Sequence, residues 1–322
     1  MAEYLGFDIG GTKCAVVAAE ADWKNSICRI IDKYRISTAG KKWNSILDLL
    51  GRAAKDIILK NDLHPVSAGI SCGGPLDRKK GIVLSPPNLP GWDNVPVTAY
   101  MEQQLNIPVY LQNDANACAL AEWKFGAGRD YKNVLFLTFG TGMGAGLILN
   151  GKIYEGFNGY AGEIGHIRLE KNGPVGNNKA GSFEGFCSGG GLVRLAEIEM
   201  KKARKSKIES ALFSLSAEQL SAQTIATAAD NGDFIARKIY EISAEKLGEG
   251  LSILIDILNP ECIIIGSIFC RSEHLFREKM EQVLRKESLL IPYKACKILP
   301  AALSDQLGDF AAIAVACGDM NE

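Results

Sequence analysis

The sequence predicts an α/β protein of two domains that abut across a cleft, and three observations carry this. The chain has 322 residues, about two domains' worth. A strand, a glycine-rich turn and a second strand open the chain over 5–19, and the pattern restarts over 134–149. No long linker divides the halves, which favours abutting domains over tethered ones. The boundary is expected between residues 112 and 113.

The elements follow in order. Residues 5–9 form an apolar run that passes Asp8 and enters Gly10-Gly11-Thr12. Residues 14–19 resume it, and 26–35 alternate beyond a turn, so three strands are expected. Residues 43–60 carry Ile46, Leu49, Leu50, Ala53, Ala54, Ile57 and Ile58 at helical spacing. Residues 66–71 read as a strand running into Gly73-Gly74-Pro75, and 86–96 as a loop. A strand over 108–112 leads into an Ala-rich helix over 114–125. In the second half, strands over 134–139 and 145–149 flank the turn, and Asn150-Gly151 is a hairpin signal. Helices follow over 188–203, with a basic solvated end at 201–207, and over 233–258. A buried strand is expected over 262–265 and a last helix over 305–317, stopped by Gly318.

Composition excludes several classes. Lys and Arg total 36 against 37 Asp and Glu, so no broad basic footprint for nucleic acid exists. No apolar run reaches the ~20 residues that span a bilayer. The start, MAEYLGFDIGG, lacks a basic stretch followed by a long apolar one, so no signal peptide is expected. Nine scattered Cys, with no C-x-x-C pair, read as reduced thiols of a cytoplasmic protein.

Four constellations could carry chemistry. In Asp8-x-Gly10-Gly11-Thr12-Lys13 the glycines let backbone N–H groups approach phosphate, Thr12 adds a hydroxyl, and Asp8 can hold hydrated Mg²⁺; a hairpin turn alone would use the same residues. Gly140-Thr141-Gly142-Met143-Gly144 offers a second such nest, or a bulged turn. Asn113-Asp114 sits between a strand and a helix, where a carboxylate can cap the helix or take a proton from an attacking hydroxyl. Glu163 and His166, with Glu184 downstream, could bind vicinal hydroxyls. His64 and His274 read as surface groups.

The ordered set DIGGTK (8–13), GGPLD (73–77), PNLPGW (87–92), NDANACALAE (113–122), FGTGMGAG (139–146) and GEIGH (162–166) resembles the ROK family of repressors and sugar kinases. The resemblance runs from about residue 4 to the C-terminal helix. It implies a two-domain actin-like ATPase (ribonuclease H-like) fold with an interdomain cleft. The last helix would return to the small domain, which becomes 1–112 plus about 303–322, leaving 113–302 to the larger one. It implies ATP and Mg²⁺ as cofactors. Gly10, Gly11 and Thr12 would form the first phosphate loop, and Gly140, Thr141, Gly142 and Gly144 the second. Gly266 would lie on the adenosine-side turn, where Ser267 replaces the usual second Gly. Asp114 would be the catalytic base, and Asn88, Asn113, Asp114, Glu163, His166 and Glu184 would contact the sugar. A homodimer is implied as well.

The family's usual zinc site does not carry over. Alignment on Gly181 and Glu184 puts Val175, Asn177 and Ser182 at its three cysteine positions, leaving His166 alone, and one imidazole cannot hold a structural zinc. Zinc is therefore not expected. Asn177, Ser182 or a water is expected to fix the ring of His166, and Cys187 to pack in the core. The expected activity is ATP-dependent phosphorylation of a hexose, glucose first, or of an N-acylhexosamine. The alternative is a ROK-type sugar-binding or regulatory protein with weak or no catalysis. DIGGT begins at Asp8, so an N-terminal DNA reader is not expected.

Overall fold

A computed structural model describes residues 1–318. It divides into two compact units. The first comprises residues 1–132, 146–161 and the C-terminal segment from Ala302; the second comprises 133–145 and 162–301.

The first unit opens with β1 (Ala2–Ile9), β2 (Lys13–Asp22) and β3 (Ile27–Ser37), followed by α1 (Trp43–Asn61), β4 (Ser67–Cys72), the short strands β5 (Leu76–Asp77) and β6 (Ile82–Val83), α2 (Val97–Leu105), β7 (Val109–Asn113) and α3 (Asp114–Phe125). The sheet order is β3-β2-β1-β4-β7. The first three strands pair antiparallel, while β1, β4 and β7 are parallel. Apolar residues of β1, β4 and α1, including Leu5, Phe7, Ile70, Leu47 and Leu50, form one buried cluster. Register matters most for function. Ile9 lies opposite Cys72, and Cys72 opposite Asn113. The turns after β1, β4 and β7 therefore leave from one edge of the sheet, at the carboxyl ends of its parallel strands, where open α/β sheets bind ligands.

The second unit begins with β8 (Val134–Leu137). The chain then passes through β9 (Ala145–Leu149) and β10 (Lys152–Ile153), an antiparallel hairpin turned by Asn150 (φ 54) and Gly151 (φ 76). These positive φ values are what a two-residue type I′ turn requires. Next come the hairpin strands β11 (Val175–Gly176) and β12 (Lys179–Ala180), then α4 (Phe183–Phe186), α5 (Gly189–Lys205), α6 (Ala222–Asp230), α7 (Phe234–Leu258), β13 (Cys262–Ile265), α8 (Ile268–Glu287), α9 (Leu290–Ala295) and β14 (Lys297–Pro300). Strands β8, β13 and β14 are parallel, with Leu137 opposite Ile265 and Ile265 opposite Pro300. Ser188 and Asp233 cap α5 and α7.

The last helix, α10 (Leu307–Gly318), belongs to the first unit. A Cβ on Gly69 would lie 2.3 Å from the Ala312 carbonyl oxygen and 2.4 Å from the Ala316 nitrogen. Only glycine on β4 lets the Ala-rich helix approach this closely. The division differs from the expected boundary at 112/113. Helix α3 and residues 146–161 sit with the first unit, because a Cβ on Gly146 would lie 2.6 Å from the Ala115 carbonyl and 2.5 Å from Ala119 Cβ, so β9 is seated on α3. Of the expected small domain, residues 319–322 lie outside the described residues. Helices α2, α4, α6, α8 and α9 and strands β5, β6, β11, β12 and β14 lie outside the elements expected from the sequence. Among the described residues no helix is long and apolar enough to cross a membrane.

Candidate active site

In the first unit, Asp8 ends β1 and the turn beyond it closes through the Gly10 N–H donating to the Lys13 carbonyl at 3.1 Å. Gly11 is required on steric grounds: a Cβ there would lie 2.3 Å from the Asn88 carbonyl oxygen. The Gly11 carbonyl accepts from Thr38 Oγ1 at 2.7 Å, and that of Thr12 from the Thr38 N–H at 3.1 Å. Thr12, Lys13 and Asn88 are exposed. Burial is the main reason the Asp8 carboxyl is pushed up to about 6, with Asp309 and Asp114 adding repulsion and Lys33 and Arg35 opposing it. A Cβ on Gly308 would lie 2.8 Å from Asp8 Oδ2. A partly buried carboxylate whose ionised form is disfavoured by burial and by two neighbouring carboxylates suits a divalent cation.

Asn113 and Asp114 stand at the start of α3. Asn113 is the N-cap, and its Oδ1 accepts from the Ala115 N–H at 3.0 Å. Asp114 is the first helical residue, and its Oδ1 accepts from the same N–H at 2.8 Å. The Asp114 side chain reaches solvent, yet crowding by protein atoms raises its carboxyl above the ordinary range, opposed by backbone hydrogen bonds. Gly73 supplies the space in front of it. A Cβ at Gly73 would lie 3.3 Å from Asn88 Nδ2 and 3.7 Å from Asp114 Oδ2, and one at Gly74 would lie 3.3 Å from Asn113 Nδ2. The first unit thus gathers Asn88, Asn113 and Asp114 around the Gly73-Gly74 turn. The sequence alone assigns that turn no role, although its paired glycines signal a close approach.

In the second unit, the turn over 138–144 is closed by the Thr138 N–H donating to the Gly144 carbonyl at 3.0 Å and the Gly140 N–H to the Gly142 carbonyl at 3.1 Å. Thr141 is exposed at its tip. Glu184, on α4, braces the turn: its Oε2 accepts from the Met143 N–H at 3.0 Å, and a Cβ on Gly142 would lie 2.8 Å from that oxygen. The Gly266 N–H donates to Leu137 and the Ile268 N–H to Phe139, both at 2.9 Å, so the 266–267 turn lies against the glycine turn. Ser267 there has φ 59 and ψ −112, a conformation that favours glycine.

Glu163 is exposed and precedes a 3₁₀ turn over Ile164–His166. A Cβ on Gly165 would lie 2.3 Å from the Met143 carbonyl and 3.3 Å from Glu184 Cβ. The turn bearing His166 therefore packs against Glu184. His166 Nε2 lies 2.7 Å from Asn177 Nδ2. Ser182 is engaged elsewhere: its Oγ accepts from the Gly185 N–H at 3.1 Å, capping α4. Cys187 is buried, its thiol near the Ser243 carbonyl and pushed well above its ordinary pKa by burial. His64 and His274 are exposed, and His274 Nε2 pairs with Asp230 Oδ1 at 2.7 Å.

The ROK family matches residues 4–318 of this chain. A glucokinase of Thermotoga maritima is 34% identical over 283 residues, covering 87% of this chain and 86% of that protein. A xylose repressor of Caldicellulosiruptor bescii is 31% identical over 296 residues, covering 90% of this chain and 73% of the repressor. The crystal structure of a ROK family glucokinase from Streptomyces griseus, in complex with glucose and AMPPNP, superposes with a TM-score of 0.77 at 29% identity, covering 98% of this chain and 99% of that one.

Proposed function

The chain belongs to the ROK family and has the actin-like ATPase fold of its sugar kinases, and from that premise we propose that it transfers the γ-phosphoryl group of ATP to a hexose, glucose first, or to an N-acylhexosamine. Asp114 carries the proposal. Its carboxyl sits at the start of α3, open to solvent, with a pKa raised by desolvation, and beside the Gly73 space shared with Asn88. A carboxylate so placed is a stronger base than one in water.

In the proposed reaction one oxygen of Asp114 accepts the proton of the sugar hydroxyl as that oxygen attacks the γ-phosphorus. The bond to the β,γ-bridging oxygen breaks and ADP leaves. Asn88, Asn113, Glu163, His166 and Glu184 hold the remaining hydroxyls. The N–H groups of 10–12 and of 140–144, with Gly266, receive the nucleotide, and Lys13 adds positive charge. Mg²⁺, when bound, neutralises phosphate charge; the Asp8 carboxylate, with the room left by Gly308, fits it. Positioning and charge neutralisation then do most of what phosphoryl transfer asks of a protein. A homodimer in the cytoplasm remains part of this proposal.

The similarity to a xylose repressor supports a second reading, a sugar-responsive regulator with weak or no turnover. ADP release measured over about twenty sugars, alongside calorimetric binding of the same sugars, separates the two. Sugar-dependent ADP release supports the kinase; binding without release supports the regulator.

A further inference from the structure

The residues at the family's zinc position do not fit that metal. Val175 is exposed, Ser182 caps α4, and Cys187 lies buried against Ser243. Among the described residues no group of three His, Cys, Asp or Glu could hold a metal ion. In place of such a site the segment folds as the hairpin β11–β12. Val175 pairs with Ala180 and Gly176 with Lys179, and the turn residues Asn177 (φ 43) and Asn178 (φ 61) are both left-handed. That is a type I′ turn, and Asn is among the few residues other than Gly that accept it readily.

The hairpin is tied to the segment that carries His166 and to α4, which carries Glu184. Lys179 Nζ donates to the His166 carbonyl at 2.6 Å. Arg168 Nη1 donates to the Ala180 carbonyl at 2.7 Å. Gly176 packs against α4, where a Cβ would lie 2.5 Å from the Gly185 nitrogen. The turn thus delivers Asn177 to the ring of His166, with amide nitrogen and Nε2 2.7 Å apart. With the amide nitrogen turned toward the ring, Asn177 donates to Nε2 and the ring proton lies on Nδ1.

We propose that the β11–β12 hairpin replaces a structural zinc ion, and that Asn177 is the positioning residue that fixes His166 as the Nδ1–H tautomer. This rests on the kinase reading only insofar as His166 contacts sugar. A ring fixed this way offers the sugar one N–H donor, while Glu163 and Glu184 offer acceptors. The arrangement therefore suits a sugar that presents two hydroxyl donors and one acceptor to this side of the site.

The test uses the full-length protein and three turn variants. Asn177→Gly keeps the left-handed backbone and removes the amide. Asn177→Asp keeps the turn but can only accept, which reverses the tautomer. Asn178→Gly alters the same turn one residue away. Nitrogen-15 NMR of the imidazole rings reads the tautomer directly, and the chain has only three His. We expect Nδ1–H for His166 in the wild type and in Asn178→Gly, a mixture in Asn177→Gly, and Nε2–H in Asn177→Asp. Sugar KM should rise roughly 3- to 10-fold in both Asn177 variants, the worth of one ordinary hydrogen bond, with ATP KM and melting temperature near wild type. An unchanged His166 tautomer in Asn177→Gly would overturn the proposal, as would stoichiometric zinc in the purified wild type. If the wild type phosphorylates no sugar, the kinase reading fails while the ring spectra still decide the role of Asn177.

Discussion

Asn113 and Asp114 share one donor: the N–H of Ala115 lies 3.0 Å from Asn113 Oδ1 and 2.8 Å from Asp114 Oδ1. Asn113 occupies the capping position of α3, with φ −61 and ψ 143, and Asp114 is the first helical residue. The helix therefore does not depend on the Asp114 carboxylate for its cap.

A first prediction follows from that division of labour. Asp114→Asn should lower kcat by about 10²- to 10⁴-fold, the usual worth of a general base, with sugar Kd within a few-fold of wild type and a melting temperature no lower than wild type, since burial disfavours the ionised carboxyl. Asn113→Ala should instead cost stability, about 1 kcal/mol as for a lost cap. Turnover above half of wild type in Asp114→Asn would leave that carboxylate without a catalytic role.

Asp8 sets function against stability. Its folded pKa of about 6 lies above the ordinary carboxylate value of 3.8, so the folded state holds the proton more tightly than the unfolded one. The stability this protonation supplies is present at low pH and is lost as pH rises from about 4 to 6; above 6 the folded protein carries the full cost of a desolvated, ionised Asp8. Asp8→Asn should therefore stabilise the protein at pH 7.5, of the order of 2 kcal/mol, with little effect at pH 4, while activity is lost. Urea unfolding at the two pH values checks this; a variant less stable than wild type at pH 7.5 would contradict it.

The two glutamates should separate kinetically. Glu163 is exposed ahead of the 3₁₀ turn, so Glu163→Gln should raise sugar KM alone. Glu184 also braces the Met143 N–H, so Glu184→Gln should raise both sugar and ATP KM. Each lost charge-assisted hydrogen bond is worth roughly 1.5–3 kcal/mol, about 10- to 150-fold. An ATP KM unmoved in Glu184→Gln would detach that residue from the phosphate turn.

Ser267 is held at φ 59 and ψ −112, where a side chain costs roughly 1–3 kcal/mol. Ser267→Gly gives up the Arg271 hydrogen bond at 3.2 Å and adds freedom to the unfolded chain. The net change should still be about 1 kcal/mol of stabilisation, read as a higher melting temperature with ATP KM no worse than wild type.

The legibility of the sequence depended on how local each signal was. Helix α3 over Asp114–Phe125 and strand β13 over Cys262–Ile265 match the expected bounds, because a polar cap and a short β-branched run declare themselves. The seating of β9 on α3 did not, since it depends on Gly146 meeting Ala115 and Ala119, a contact between distant segments. Helix α8 was missed because its mostly polar sequence buries only Phe269, Ser272, Phe276, Met280 and Leu284. The candidate site was legible as motifs, and strand register explains why the turns after β1, β4 and β7 share an edge. Asn177 could be named as a neighbour of His166 by alignment; that it rather than Ser182 meets the ring depends on the type I′ turn at 177–178, a register the sequence pattern did not assign.

Coupled measurement of ADP release by the full chain with ATP, Mg²⁺ and a panel of hexoses and N-acylhexosamines tests the central claim most directly. The account predicts sugar-dependent release of about 1–100 per second for at least one hexose or hexosamine, falling at least a hundredfold in Asp114→Asn. Sugars that bind the wild type but release no more ADP than the Asp114→Asn background would contradict it.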